Sequence, residues 1–132
     1  MKPNNTSTIL IIEDNADMGY TLIATLQAAE FKTIAAADGE AGLAMALENH
    51  PDAILLDLRL PKLNGEIVLA RLREDEWGKR VPVIVLTNED DTQTIADTLK
   101  HSAQGYFIKA ETDLSTIVDS LQDVLRDDRP LA

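Results

Sequence analysis

The sequence predicts an α/β fold, a single parallel sheet with helices packed on both faces. Two observations carry the prediction. Five short strand-like runs, Ile9–Ile12, Lys32–Ala37, Ala53–Asp57, Val81–Leu86 and Gly105–Ile108, alternate with stretches whose apolar residues recur every three to four positions. The third run, Ala53-Ile54-Leu55-Leu56-Asp57, has no polar break before its closing carboxylate, as a strand covered on both faces requires. Strands and helices in strict alternation imply right-handed crossovers between parallel neighbours.

Each element follows from local signals. A polar segment, residues 1–8, precedes the first strand, which ends in Glu13-Asp14-Asn15. From Asp17 to about Ala29, the spacing of Met18, Leu22, Leu26 and Ala29 gives the first amphipathic helix. After Lys32–Ala37, Asp38-Gly39 is a turn with a helix-start signal. Ala41, Leu43, Ala44 and Leu47 mark the second helix, which stops at His50-Pro51 because a residue before proline avoids the helical region.

A loop through Pro61 and Gly65 leads from the third strand to a third helix carrying Ile67, Val68, Leu69 and Leu72. The fourth strand, Val81–Leu86, holds its proline near the start, where a missing N–H costs least, and ends at Thr87. The fourth helix, roughly Thr92 to His101, is weak because Thr92, Thr94, Ile95 and Thr98 are β-branched. The fifth strand ends at Lys109. Leu114, Ile117, Val118, Leu121, Val124 and Leu125 then form the stripe of a last helix. The expected organisation is one domain over residues 9–126 with a short tail at 127–132 and no output domain. Five such units point to the flavodoxin-like strand order 2-1-3-4-5.

Composition narrows the function. With 12 basic and 23 acidic residues the net charge is −11, which argues against direct binding of nucleic acid or an anionic membrane and favours divalent cations where carboxylates converge. The absence of cysteine excludes disulfides and thiolate metal sites. Neither a signal core nor a run long enough to span a bilayer is present, so a cytoplasmic address is expected.

In a sheet of this order the carboxyl ends of strands 1, 3, 4 and 5 line one edge. They bring Glu13 and Asp14, Asp57, Thr87 and Lys109 there. Taken singly, each has an ordinary reading: an acid after a strand is usually a turn or helix cap, a lysine a surface charge, a threonine a cap. The joint pattern carries the argument. Three carboxylates in one pocket repel unless a cation joins them, and an all-oxygen set with room for water suits Mg²⁺. Lysine and threonine add a point charge and a hydroxyl donor for phosphoryl oxygens. Carboxylate, Mg²⁺ and lysine are the equipment for accepting a phosphoryl group on Asp57.

On these residues the chain resembles a receiver domain of two-component response regulators, over about Thr8 to Arg126. Glu13-Asp14 matches that family's acidic pair, Asp57-Leu58-Arg59-Leu60-Pro61-Lys62-Leu63-Asn64-Gly65 its phosphoacceptor segment, Thr87 its switch hydroxyl, Tyr106 its switch aromatic, and Lys109 its lysine. The resemblance implies that Asp57 takes a phosphoryl group from a phosphohistidine on a sensor histidine kinase or histidine phosphotransfer protein. It further implies Mg²⁺ held by Asp14, Asp57 and the Arg59 backbone carbonyl, with Glu13 reaching it through water. Thr87 would swing toward the phosphoryl oxygens and Tyr106 would turn inward. This would switch the face of the fourth helix, fifth strand and fifth helix for a downstream protein, a phosphorelay or a phosphorylation-dependent homodimer. Arg59 and Glu89 occupy positions that tune hydrolysis of the acyl phosphate in that family, and they are expected to approach each other across the pocket mouth.

Two positions depart from the family pattern: Ala110 follows the lysine where proline is usual, and Asn88 follows the threonine where a small residue is usual. Neither removes a reactive group. The chain is thus expected to be a switch, with only self-catalysed phosphoryl transfer and hydrolysis, rather than an enzyme. A constitutive interaction module that keeps the fold without using the pocket is the alternative. A flavodoxin-type cofactor binder is disfavoured, because Glu13-Asp14 would repel a phosphate after strand 1. His50 and His101 fall near helix C-termini, where they interact with the helix dipole, and Trp77 is expected to pack.

Overall fold

The computed structural model of the chain describes residues 7–87 and 103–126. Its elements are β1 (Thr8–Ile12), α1 (Ala16–Ala28), β2 (Lys32–Ala36), α2 (Gly39–Asn49), β3 (Ala53–Asp57), α3 (Gly65–Glu74), β4 (Val83–Thr87), β5 (Gly105–Ile108), a single 3₁₀ turn (Lys109–Glu111) and a C-terminal helix (Leu114–Arg126). The strands form one parallel sheet in the order β2-β1-β3-β4-β5, as the alternation of elements predicts. The weak helix expected over Thr92–His101, together with Asn88 and Glu89, lies outside the described residues.

The sheet separates two apolar layers, and the two-residue period of the strands decides which side chain enters which. Leu10, Ile12, Ile54, Leu56, Val83 and Val85 pack under α2 and α3 with Ala46, Val68, Leu69 and Leu72. Ile9, Ile11, Ala53, Leu55, Ile84 and Leu86 pack under α1 and the C-terminal helix with Leu22, Leu26, Ile117 and Leu121. Every residue of β3 and of β4 is buried. Each fully buried Leu or Ile contributes about 1.5–3 kcal/mol from area removed from water, so these central strands anchor the molecule.

Three helices start with a side-chain cap of the same kind. Asn15, Asp38 and Asn64 sit in extended backbone and accept from the N–H of Met18 at 2.9 Å, Ala41 at 2.8 Å and Ile67 at 3.1 Å. Each satisfies an N–H that the first helical turn leaves without a partner. Because each of these helices follows a strand, all three N-termini lie at the carboxyl edge of the sheet.

Some boundaries differ from the sequence reading. β1 begins one residue earlier, at Thr8, whose N–H donates to Asp52 Oδ2 at 2.7 Å. β4 begins at Val83 rather than Val81. The Val81 carbonyl accepts instead from the Arg73 guanidinium at 2.9 Å, and Pro82, which has no N–H, gives its carbonyl to Ile54 N at 3.0 Å. Gln104 then seals the start of β4, accepting from Val83 N at 2.7 Å and donating its own N–H to Val83 O at 2.9 Å.

His50 caps α2 in the left-handed region (φ 47°), and its ring stacks on Trp77 with centroids 4.4 Å apart and planes 9° from parallel. Trp77 in turn packs on the layer beneath α2 and α3, as expected of it.

Candidate functional site

Strand register brings the site together. Ile12 pairs with Leu56, Asp57 with Leu86 and Thr87 with Ile108, so the residues that end or follow β1, β3, β4 and β5 meet at one edge. Glu13, Asp57 and Thr87 are buried there, while Asp14 is exposed. One oxygen each from Glu13, Asp14 and Asp57 lies within 4.8 Å of the others.

Lys109 joins two of the acids. Its ammonium lies 2.8 Å from Glu13 Oε1 and donates to Asp57 Oδ2 at 3.1 Å. The second Asp57 oxygen, Oδ1, accepts the Arg59 N–H at 3.2 Å, and Glu13 Oε2 accepts the Asn15 N–H at 3.1 Å. Glu13 Oε1 is buried and faces Lys109 as an ion pair outside hydrogen-bonding direction, with no hydrogen-bond donor among the described residues.

Two titrations are displaced. Burial pushes the Glu13 carboxyl above its ordinary value; the Asp57 charge adds to the rise, and contact with Lys109 only partly opposes it. For Lys109, burial acts downward, but Glu13 and Asp57 outweigh it and hold the ammonium above its ordinary value.

These residues fit a hard divalent cation. The donors are all oxygen, three carboxylates converge, and one buried oxygen is left without a hydrogen bond. A cation at this point would relieve the mutual repulsion and give the buried Glu13 oxygen a positive partner besides Lys109.

The loop after β3 is built tightly around Asp57. Gly65 N donates to Leu58 O at 2.9 Å, and a Cβ on Gly65 would come within 2.4 Å of Asp57 O and 2.7 Å of Leu58 Cα. Only glycine fits behind the acid. The Lys109–Ala110 peptide is trans, and the 3₁₀ turn after it, closed by Thr112 Oγ1 on Ile108 O at 2.9 Å, keeps Lys109 at the strand end without proline.

The structure thus brings together Glu13, Asp14, Asp57 and Lys109, with Thr87 one strand away. Tyr106 is 41% exposed, and the Arg59 side chain is exposed at the rim while its backbone faces the pocket. The expected approach of Arg59 to Glu89 lies outside the described residues, because Glu89 does. Sequence reasoning missed Asn15, whose N–H fixes Glu13 and whose side chain caps α1; its place in Glu13-Asp14-Asn15, just before a helical period, was the available signal. It also missed Lys62, whose φ of 70° nothing in the sequence announces.

Residues 9–122 match the family model described as the response regulator receiver domain. The chain is 37% identical over 101 residues to the DNA-binding dual master transcriptional regulator RpaA of Synechocystis, an alignment covering 76% of this chain and 42% of that protein. It spans less than half the length of the curated relatives it matches. Among solved structures, the receiver domain of sensor histidine kinase PA1611 from Pseudomonas aeruginosa, with magnesium coordinated in its active-site cleft, is 29% identical with a TM-score of 0.84, covering 92% of this chain and 98% of that one. The chemotaxis response regulator CheY4 of Vibrio cholerae is 26% identical with a TM-score of 0.82, covering 90% and 98%.

Proposed function

This chain belongs to the response regulator receiver domain family, and from that membership we propose that Asp57 is its phosphoacceptor, with Mg²⁺ as cofactor. The observation that carries the reading is the position of Asp57: a buried carboxylate, oriented by the Arg59 N–H and Lys109, beside two further acids. An Asp57 carboxylate oxygen attacks the phosphorus of a phosphohistidine on a sensor kinase or phosphotransfer protein. A P–O bond forms, the P–N bond breaks, and its electron pair stays on the imidazole nitrogen.

Asp14, Asp57 and the Arg59 carbonyl are the residues that would hold Mg²⁺, with Glu13 acting through water. When bound, the ion supplies positive charge against the phosphoryl oxygens. Lys109 supplies a second positive charge and keeps one Asp57 oxygen oriented. Thr87 offers a hydroxyl to the phosphoryl group, and inward rotation of Tyr106 reports the change on the face of β5 and the C-terminal helix. A downstream protein, a further relay step or a second copy then reads that face. Arg59 and Glu89 tune hydrolysis. The receiver acts as a switch in the cytoplasm, contacts neither membrane nor nucleic acid itself, and catalyses only its own transfer and hydrolysis. Its charge of −11 supports the absence of direct nucleic-acid contact.

The test is intact mass after incubation with Mg²⁺ and acetyl phosphate. The expected result is a gain of one phosphoryl group, absent in Asp57→Asn and with chelator. An Mg²⁺-binding, folded wild-type chain that gains no mass would overturn the reading and favour a constitutive interaction module.

A further inference from the structure

The loop between β3 and α3 holds a strained turn, and the start of α2 clamps it. Leu63 N donates to Pro61 O at 2.7 Å across Lys62, whose φ is 70°. A three-residue turn with its central residue at positive φ is rare and strained, and lysine has none of the freedom that glycine brings to that region. Such a turn persists only where its surroundings hold it.

The holding contacts come from the turn at the end of β2. Gly39 N donates to the same Pro61 carbonyl at 3.2 Å. Asp38, which caps α2, faces Lys62 Nζ at 3.8 Å. Gly39 itself touches the turn so closely that a Cβ there would lie 1.6 Å from Leu63 O and 2.6 Å from Leu63 C. Both are backbone atoms, so no side-chain rotation relieves the contact. The φ of Gly39 is not positive, so the backbone accepts any residue, and alanine is a better helix former. Space for the Leu63 carbonyl is therefore what glycine provides here.

We propose that Gly39 is a positioning residue for the divalent cation: by admitting the Leu63 carbonyl and donating to Pro61, it fixes the loop that presents the Arg59 carbonyl. The proposal rests on the reading that this pocket binds Mg²⁺. Gly39 touches neither the ion nor the phosphoryl group; it acts through Pro61 and Leu63. Supports of this remote kind set ligand position and thereby affinity.

The experiment measures Mg²⁺ affinity by calorimetry on the full chain, comparing wild type, Gly39→Ala and Gly78→Ala, at a temperature where circular dichroism shows all of them folded. Gly78 is also a tight site, with a Cβ 2.1 Å from Leu72 O against 1.6 Å from Leu63 O at Gly39, but it lies after α3, toward the opposite edge of the sheet. Gly39→Ala is expected to weaken Mg²⁺ binding by about tenfold or more, while Gly78→Ala lowers the melting temperature and leaves affinity unchanged. Equal affinity of Gly39→Ala and wild type overturns the positioning role alone. Absence of binding by wild type overturns the metal reading and this inference with it.

A second measurement needs no variant to fold. Amide exchange of the wild-type chain is expected to slow at Gly39 and Leu63 together when Mg²⁺ is added, since both donate to Pro61 O. Slowing at Leu63 with no change at Gly39 shows the two are uncoupled and overturns the proposal.

Discussion

Glu13 and Lys109 stand 2.8 Å apart at the ends of β1 and β5, the carboxylate buried and the ammonium nearly so. The pairing does not fully offset the cost of burying the acid, because Asp57 repels Glu13 while competing for the same lysine. Charge is therefore held in the pocket in an unfavourable arrangement.

That arrangement gives a pH dependence of definite sign. The folded-state pKa of Glu13 is raised by burial, so its contribution to stability is present below the ordinary value of 4.5 and is lost as pH rises through the raised value. Lys109 has a raised pKa too, and its contribution holds below 10.5 and disappears only above it. In chelator at pH 7, Glu13→Gln is expected to be more stable than wild type, because it removes a carboxylate whose ionisation is disfavoured in the folded chain, and the difference should shrink as pH falls through the Glu13 titration. Urea midpoints at several pH values measure this. A variant less stable than wild type at pH 7 would show that the lysine contact outweighs burial.

Gly65→Ala pushes a methyl group into Asp57 O and Leu58 Cα. The expected cost is about 1–3 kcal/mol from overpacking, with slowed phosphorylation by acetyl phosphate because the backbone of Asp57 must shift. Urea unfolding and intact mass over time give the two numbers. Wild-type labelling kinetics in this variant would mean the loop can yield without moving the acid.

Arg73 separates fold from site. Its guanidinium donates to Gly78 O at 2.6 Å and Val81 O at 2.9 Å, and burial lowers its pKa to about 10. Arg73→Met keeps the stem but strands two carbonyls, so a loss of about 1–3 kcal/mol is expected. The rate of phosphoryl labelling at low temperature should not change. A changed rate would link this end of the molecule to the pocket.

His50 offers a comparison of two substitutions. Alanine keeps the unfavourable positive φ and loses the Trp77 stack, so His50→Ala should cost about 0.5–1.5 kcal/mol. Glycine loses the same stack but relieves the backbone, and His50→Gly should lie closer to wild type, by about 1 kcal/mol relative to alanine. Equal stabilities would mean that φ 47° carries no strain at this cap.

Arg59→Ala is expected to change the lifetime of the phosphorylated state with little effect on stability, because its side chain is exposed at the pocket rim. Decay of the added mass after removal of acetyl phosphate measures it. An unaltered lifetime would remove Arg59 from the tuning of hydrolysis.

Much of this molecule was legible in its sequence because the relevant forces are periodic or local. Apolar runs such as Ile54-Leu55-Leu56 declare a strand buried on both faces, and parallel order then dictates that Glu13, Asp57, Thr87 and Lys109 share an edge. The misplaced start of β4 had a different cause. Val81 is as apolar as Val83, but a guanidinium from α3 takes its carbonyl, and sequence patterns do not record where a carbonyl points. Gly39 against Leu63 and His50 against Trp77 are likewise meetings of segments distant in the chain. Composition identified each residue; only the packed backbone showed what it touches.

The sheet is mechanically uneven. β3 and β4 are buried along their whole length, whereas β5 is an edge strand whose residues are all at least partly accessible. Under the proposed reading, the covalent event falls at the end of a fully buried strand, while Tyr106 lies in the accessible edge strand β5 and Lys109 directly follows it. A close-packed centre yields little, so under that reading displacement would pass outward to the accessible margin. The sheet runs out of neighbours at both β2 and β5, but β5 is the border that carries Tyr106 and leads into Lys109, so under that reading it is the margin tied to the pocket that would yield.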